Sequence, residues 1–464
     1  MLTIGLDAKK KEPLYQQIYL YIRNEIKSGA LPIESKLPSA RRLAKHMEVS
    51  RNTVDLAYAQ LVAEGYIESK PKRGFFVCQV EELAQLDITV ENLDEEVEEK
   101  IPAYAYDFSS AGVDMEQFPY NTWRKLLKEV LIDDNREIFQ KGMNQGDLEL
   151  RQAIMYYLRQ SRGVNVQSSQ IVIGSGMENL LFLLRQIMGK NQTIGIENPV
   201  YMNAHSILKQ LEFGICPISM DEDGMRVDEL EKSDADIAYV TPAHQYPTGV
   251  VLPIRRRNQL MKWALGQENR YIIEDDYDSE FRYHGKPIPA LQGIDKSGKI
   301  IYMGTFSKAI APAIRVSYMV LPKGLLPKYQ EAAKGFSCSV SRIDQAVLTS
   351  FLSNGYFERH LNRMRTLYKD KHDCMVSLLK EIDHPVTIHG QGAGAHVLVD
   401  FHVKNHEQFQ KELEKVSVKI YPLSQYYIEG KPKEEQYILG FTRMKKEDMI
   451  EGIKKIKQIL LFKE

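Results

Sequence analysis

Ile300-Ile301-Tyr302-Met303-Gly304-Thr305-Phe306-Ser307-Lys308 is the stretch that decides the fold. Its first four residues read as a short strand buried on both faces, and a hydroxyl-bearing turn that ends in a lysine follows directly. Similar apolar runs stand at Ile171-Val172-Ile173, Thr193-Ile194-Gly195-Ile196, Ile237-Ala238-Tyr239-Val240 and Tyr271-Ile272-Ile273. Helical patterns separate most of them. The alternation predicts an α/β fold with a mostly parallel, buried sheet. In such folds the polar residues just past the strand C-termini face the ligand crevice.

Those residues form an ordered set. After Ile173 comes Gly174-Ser175-Gly176-Met177, opening a helix expected over Glu178–Met188, where free backbone N–H groups suit a phosphate. After Ile273 comes Glu274-Asp275-Asp276-Tyr277; paired acids here suit a metal ion, or one of them a cationic ring nitrogen. Lys308, in a partly dry crevice, can have its pKa lowered and act as an amine nucleophile, and Arg315 follows close behind. A phosphate cup, a carboxylate and a lysine with a nearby arginine are what pyridoxal phosphate needs: anion donors, a partner for the pyridinium, and an amine for the Schiff base. No histidine joins Asp275 and Asp276 at metal-ligand spacing, so no metal site is expected there.

The N-terminus has a different pattern. Leu14, Ile18, Ile22 and Ile26 mark one face of a helix that Ser28-Gly29 ends. Ser39 is an N-cap for Ala40–Met47, and Ser50 for a helix buried through Val54, Ala57, Tyr58 and Leu61. Tyr66-Ile67 and Phe75-Phe76-Val77 read as two strands around Lys70-Pro71-Lys72-Arg73-Gly74. Two helices, a tight turn, a third helix and a basic hairpin make a winged helix-turn-helix. A recognition helix enters the major groove N-terminus first, so Arg51, Asn52 and Thr53 sit where side chains reach bases. Arg41 and Arg51 suit phosphates or guanines, and Lys72, Arg73 and Gly74 suit close approach to the backbone.

The charge distribution agrees. The 464 residues carry 61 Lys+Arg and 62 Asp+Glu, a net charge of -1 that by itself argues against a nucleic-acid binder. Residues 1–78 hold 13 basic and 8 acidic side chains, residues 79–105 hold 1 and 9, and residues 106–464 hold 47 and 45. A basic head, an acidic connector and a near-neutral body are expected. The connector suits a solvated linker, or a segment that docks on the head through Leu83, Leu86, Ile88, Val90 and Leu93. Cys78, Cys216, Cys338 and Cys374 are too dispersed for a disulfide framework or a zinc site. With no basic-then-apolar leader pattern and no run of about 18 apolar residues, a cytoplasmic protein without a membrane segment is expected.

Residues 10–78 resemble the GntR-type winged helix, through Leu37-Pro38-Ser39-Ala40-Arg41-Arg42-Leu43-Ala44, Val49-Ser50-Arg51-Asn52-Thr53-Val54 and Leu61-Val62-Ala63-Glu64-Gly65-Tyr66-Ile67. The resemblance implies DNA contacts from Arg41, Ser50, Arg51, Thr53 and Gly74, with Lys72 standing where a glycine is common. The body resembles the fold-type I aminotransferases, through Pro199-Val200-Tyr201, Thr241-Pro242-Ala243-His244-Gln245-Tyr246-Pro247-Thr248-Gly249, Asp275-Asp276-Tyr277 and Ser307-Lys308. By position, Lys308 would carry the Schiff base, Asp275 would pair with the pyridine nitrogen, Tyr277 would bond the ring O3′ and Tyr201 would stack on the ring. Ser175, Gly176, Thr305, Ser307 and Arg315 would hold the phosphate.

Together the parts are similar to the MocR/GabR class of bacterial transcription regulators, whose further marks here are Asp107-Phe108, Phe118-Pro119 and Trp123. That implies a winged helix-turn-helix over 1–78, an acidic linker over 79–105 and a pyridoxal-phosphate effector and dimerisation domain over 106–464. It also implies a homodimer on double-stranded operator DNA, responding to an amino compound or to pyridoxal phosphate. Three positions depart from aminotransferases. Tyr246 stands in place of an Asn, as is usual in the regulator class, and Lys141 aligns with a phosphate-binding tyrosine. Ile438 replaces the carboxylate-clamping arginine, leaving Arg443 as the nearest substitute. An active aminotransferase fused to a DNA-binding domain, and a body that only dimerises, remain as rival expectations.

Overall fold

The structure, a computed structural model, describes Leu6 and residues 12–79, 104–131, 136–283, 288–390, 392–432 and 434–461. The chain divides into two units, Met1–Ile101 and Pro102–Glu464. Most of the acidic connector expected over 79–105 lies outside the described residues.

In the first unit the helices are Leu14–Lys27, Ala40–His46 and Arg51–Ala63. Ser39 accepts the amide of Arg42, and Ser50 accepts the amide of Thr53, so both expected N-caps form. Ile18, Ile22, Leu43, Val54 and Leu61 close one core between the three helices. The Tyr58 hydroxyl donates to the Pro38 carbonyl at 2.9 Å, tying the third helix to the loop ahead of the second. The second helix stops at His46, short of the expected Met47, and Glu48 then takes a left-handed turn (φ 62° is seen at the wing's Lys72, 53° here). Strands Ile67–Lys70 and Gly74–Val77 pair antiparallel, with Ile67 opposite Val77. Tyr66 stays outside the first strand because its amide donates to Leu61 and closes the helix end.

The second unit is built on an eight-stranded sheet. In spatial order its strands are Ile171–Gly174, Ser317–Val320, Ile300–Thr305, Tyr271–Asp276, Ile237–Val240, Thr193–Asn198, Gly214–Asp221 and Gly224–Met225. All five expected strands are present, and the run from Ile300–Thr305 to Gly214–Asp221 is parallel. Ser317–Val320 is antiparallel to both of its neighbours. A smaller antiparallel sheet holds Thr387–His389, His396–Asp400, Tyr437–Gly440 and Tyr421–Pro422. It packs on the long helix Tyr356–Lys380 and on Lys446–Leu461 through Tyr368, Leu379, Val397, Leu439 and Ile453.

Strand Tyr106–Asp107 pairs with Val418–Lys419, and the amide of Gly440 then donates to the Phe108 carbonyl at 2.8 Å. A Cβ on Gly440 would collide with the Ser109 carbonyl, so this close passage needs glycine. It delivers Ser110 to the ends of the parallel strands. Among the described residues no helix is long and apolar enough to cross a membrane.

Candidate functional site

The parallel strands end at Asn198, Val240, Asp276 and Thr305, and the residues just beyond them wall a cavity of about 400 Å³. Its lining includes Gly176, Tyr201, Asp275, Tyr277, Thr305, Ser307, Lys308 and Arg315, so eight of the nine residues expected at the cofactor come together. The ninth, Ser175, is not among the lining residues. Its amide donates to the Ser339 hydroxyl at 2.9 Å and its carbonyl accepts from Arg315 at 3.4 Å.

The Lys308 ammonium donates to the Ser110 carbonyl at 2.9 Å. Burial lowers its pKa, and the nearby Asp278 carboxylate opposes that shift. The register places Met303 beside Asp275, so the lysine loop leaves the sheet next to the carboxylate.

Asp275 and Asp276 diverge, as neighbours on a strand must. Asp276 accepts from the Arg162 Nε at 2.7 Å and from the Tyr302 hydroxyl at 2.5 Å, away from the cavity wall. Asp275 accepts from the Tyr239 hydroxyl through Oδ2, while its Oδ1 is buried with no donor. Burial pushes the Asp275 carboxyl up to about 7, against the lowering effect of the Tyr239 bond. The two acids therefore do not act as a pair. Among the described residues the metal-ligating side chains that cluster are Asp400, His402 and Glu434, in and beside the smaller sheet.

Tyr277 reaches the His244 Nδ1 at 3.1 Å, and the same nitrogen lies 3.0 Å from the buried Asp278 carboxylate. The Tyr246 hydroxyl bonds the Ser110 hydroxyl at 2.8 Å and donates to Tyr426 at 3.3 Å, and burial raises its pKa. The rings of Tyr201 and Tyr246 meet edge to face at 5.5 Å. At the far end of the cavity Gly176 has φ 91° and caps helix Met177–Met188, one residue longer than expected. The Thr305 hydroxyl accepts the Ser307 amide at 3.2 Å. Arg315 lies beside Gly176 and donates to Glu178 at 2.7 Å.

Ile438 is fully buried against Leu398 and Leu423. Arg443 is exposed, lies along Gly112 and is not among the residues that line the cavity. Lys141 is exposed and also outside the lining. Sequence reasoning missed Ser110, Tyr239, Asp278 and Glu178 as neighbours of the cavity chemistry. A tyrosine inside the apolar run Ile237–Val240, next to the strand that carries the acids, was the one local signal.

In the first unit Arg41 and Arg51 are exposed. Arg51 Nε lies 3.3 Å from Asp55, an exposed pair one helical turn apart. The Ser50 hydroxyl is 2.8 Å from the Thr53 hydroxyl as well as capping the helix, so both side chains already have a structural task. In the wing, Lys70, Arg73 and Lys36 surround the Phe76 ring at 5.0, 5.7 and 5.9 Å. Gly74 has φ 104°, and a Cβ there would press on the Lys36 side chain. Lys72 has φ 62°, the left-handed conformation for which glycine is favoured.

Residues 14–77 match the family model of bacterial regulatory proteins, gntR family, and residues 109–453 match aminotransferase class I and II. The HTH-type transcriptional regulator YdeL of Bacillus subtilis (strain 168), itself described as uncharacterized, is 38% identical over 447 residues, 96% of each chain. A protein of Rhizobium meliloti described as "Probable rhizopine catabolism regulatory protein MocR" is 30% identical over 98% of this chain and 95% of its own. The solved kynurenine aminotransferase of Pyrococcus horikoshii superposes with a TM-score of 0.69 at 25% identity, covering 78% of this chain and 92% of that one.

Proposed function

The chain belongs to the MocR-type transcription regulators, a gntR-family DNA-binding module joined to an aminotransferase class I and II domain, and from that premise we propose that its operator affinity is set by what occupies the Lys308 cavity. The proposed division is a DNA-reading head over 1–78, a connector over 79–105 and an effector and dimerisation body over 106–464. The aminotransferase fold and its solved relatives imply pyridoxal phosphate as cofactor.

The residues present fit that cofactor. The observation that carries the reading is the buried Asp275 Oδ1, which lacks a donor, in the same cavity as the partly buried Lys308 amine. Pyridoxal phosphate supplies an aldehyde that condenses with amines and a ring that withdraws electrons from them. Lys308 is the amine that would hold the aldehyde carbon, and its lowered pKa leaves more of it unprotonated and nucleophilic. Asp275 would hold the ring N–H, Tyr277 the ring hydroxyl, and Tyr201 the ring face. Gly176, Thr305, Ser307 and Arg315 would hold the phosphate, with Ser175 supporting Arg315 from behind.

An incoming amino compound, or the cofactor itself, would compete for these groups and change the body's state. A ligand that shifts operator affinity by a factor of about 10–100 needs about 1.4–2.8 kcal/mol of differential binding between states. Two such chains in a homodimer would suit two operator half-sites. Efficient turnover is disfavoured, because Ile438 fills the clamp position with hydrocarbon and Arg443 lies outside the cavity lining.

The test pairs two variants of the full chain. With pyridoxal phosphate the wild type should develop a visible absorbance band that Lys308→Ala lacks. Arg51→Ala should keep the band and lose binding to a DNA fragment carrying the gene's own promoter. A band that persists in Lys308→Ala overturns the cavity assignment, and full DNA binding by Arg51→Ala overturns that of the head. Sustained conversion of amino donor to keto acid would restore the aminotransferase reading.

A further inference from the structure

The phosphate end of the cavity contains a carboxylate. Glu178 lies in the first turn of helix Met177–Met188, and it lines the cavity together with Gly176 and Arg315. Its Oε2 accepts from Arg315 Nη2 at 2.7 Å, and each side chain is about half exposed, at 51% and 52%. The pair sits over Gly176: a Cβ added there would run into both the guanidinium and the carboxylate. An anion seated on the Gly176 turn therefore meets Glu178 as well as the cation meant to hold it.

We propose that Glu178 is a specificity-determining residue of the phosphate subsite, a resident anion that competes for Arg315 and weakens binding of phosphate-bearing ligands. The inference rests on the cofactor reading of the cavity given above. Arg315 is the cationic side chain in the lining besides Lys308, and it cannot give its best geometry to two anions at once. A phosphate must displace the carboxylate or share the guanidinium with it, and like charges at that distance repel. The same carboxylate also complements the positive end of the helix dipole, which gives it a purely structural task as well.

The two roles separate by experiment. Full-length wild type and Glu178→Gln are titrated with pyridoxal phosphate and with pyridoxal, which lacks the phosphate, following the Lys308-dependent absorbance band. Glu178→Gln should bind pyridoxal phosphate about three- to tenfold more tightly, the scale of one or two solvent-screened charge interactions. Its affinity for pyridoxal should stay within a factor of about two. Inorganic phosphate should compete with the cofactor at lower concentration in the variant, and Glu178→Ala should shift in the same direction. A role confined to the helix would lower the melting temperature and leave both affinities equal, which overturns the proposal. An equal tightening for pyridoxal overturns it too, because the effect would not then lie at the phosphate. Absence of the band from both wild type and variants overturns the cavity reading itself, and this inference with it.

Discussion

Successive side chains of a strand point to opposite faces, and at Asp275-Asp276 this gives two carboxylates different fates. Asp276 is neutralised by Arg162, whereas Asp275 is pushed up to about 7 by burial and has one oxygen without a donor. A carboxyl whose folded pKa is raised favours the protonated native form. Its contribution is complete below the unfolded value of about 3.9 and is lost as pH rises through about 7. Cofactor-free Asp275→Asn should therefore be more stable than wild type at pH 8, by about 4 kcal/mol, with the gap closing toward pH 4. Thermal denaturation across that range checks the sign, and the same variant should bind pyridoxal phosphate poorly. Asp275 and Lys308 were legible in the sequence because strand ends fix where such residues point. Ser110 was not: it meets Lys308 across 198 positions, and a tertiary pair of that span leaves no periodic trace.

Element by element, the clearest sequence signals were those with a local cause. The caps Ser39 and Ser50 and the apolar faces of the first-unit helices need only nearest neighbours along the chain. Leu61 is fully buried where three helices meet, so Leu61→Ala should destabilise the first unit by about 2–5 kcal/mol. Chemical denaturation followed by loss of DNA binding should show the shift, while the cofactor absorbance band of the second unit stays unchanged. Three strands of the large sheet escaped the reading, the short edge strand Gly224–Met225 and the longer Gly214–Asp221 and Ser317–Val320, and so did the whole smaller sheet. Gly214–Asp221 carries Pro217 and a half-exposed face, and a proline at that position suits a strand near the sheet edge. Ser317–Val320 runs antiparallel, so no crossover helix had to announce it. The alternation that exposed the parallel strands could not reveal the one that returns directly.

For the whole molecule, the net charge of -1 concealed more than it told. The 13 basic and 8 acidic side chains of residues 1–78 belong to a module of the gntR family, and the near-neutral remainder of the body to an aminotransferase fold. Chain length and the two hydrophobic patterns were enough to separate these parts, because each builds its own core. One feature of the wing carries this division into solution behaviour. Lys72 holds a left-handed backbone that costs a non-glycine residue about 1 kcal/mol or more. Lys72→Gly should thus raise the melting temperature of the first unit while reducing its affinity for DNA. A lysine that neutralises a phosphate releases a condensed counterion, so the variant should also lower the slope of log affinity against log salt by about one. The proposed phosphate contact of Lys72 would thus add an ionic-strength response to DNA binding, carried by the charge that the strained turn presents.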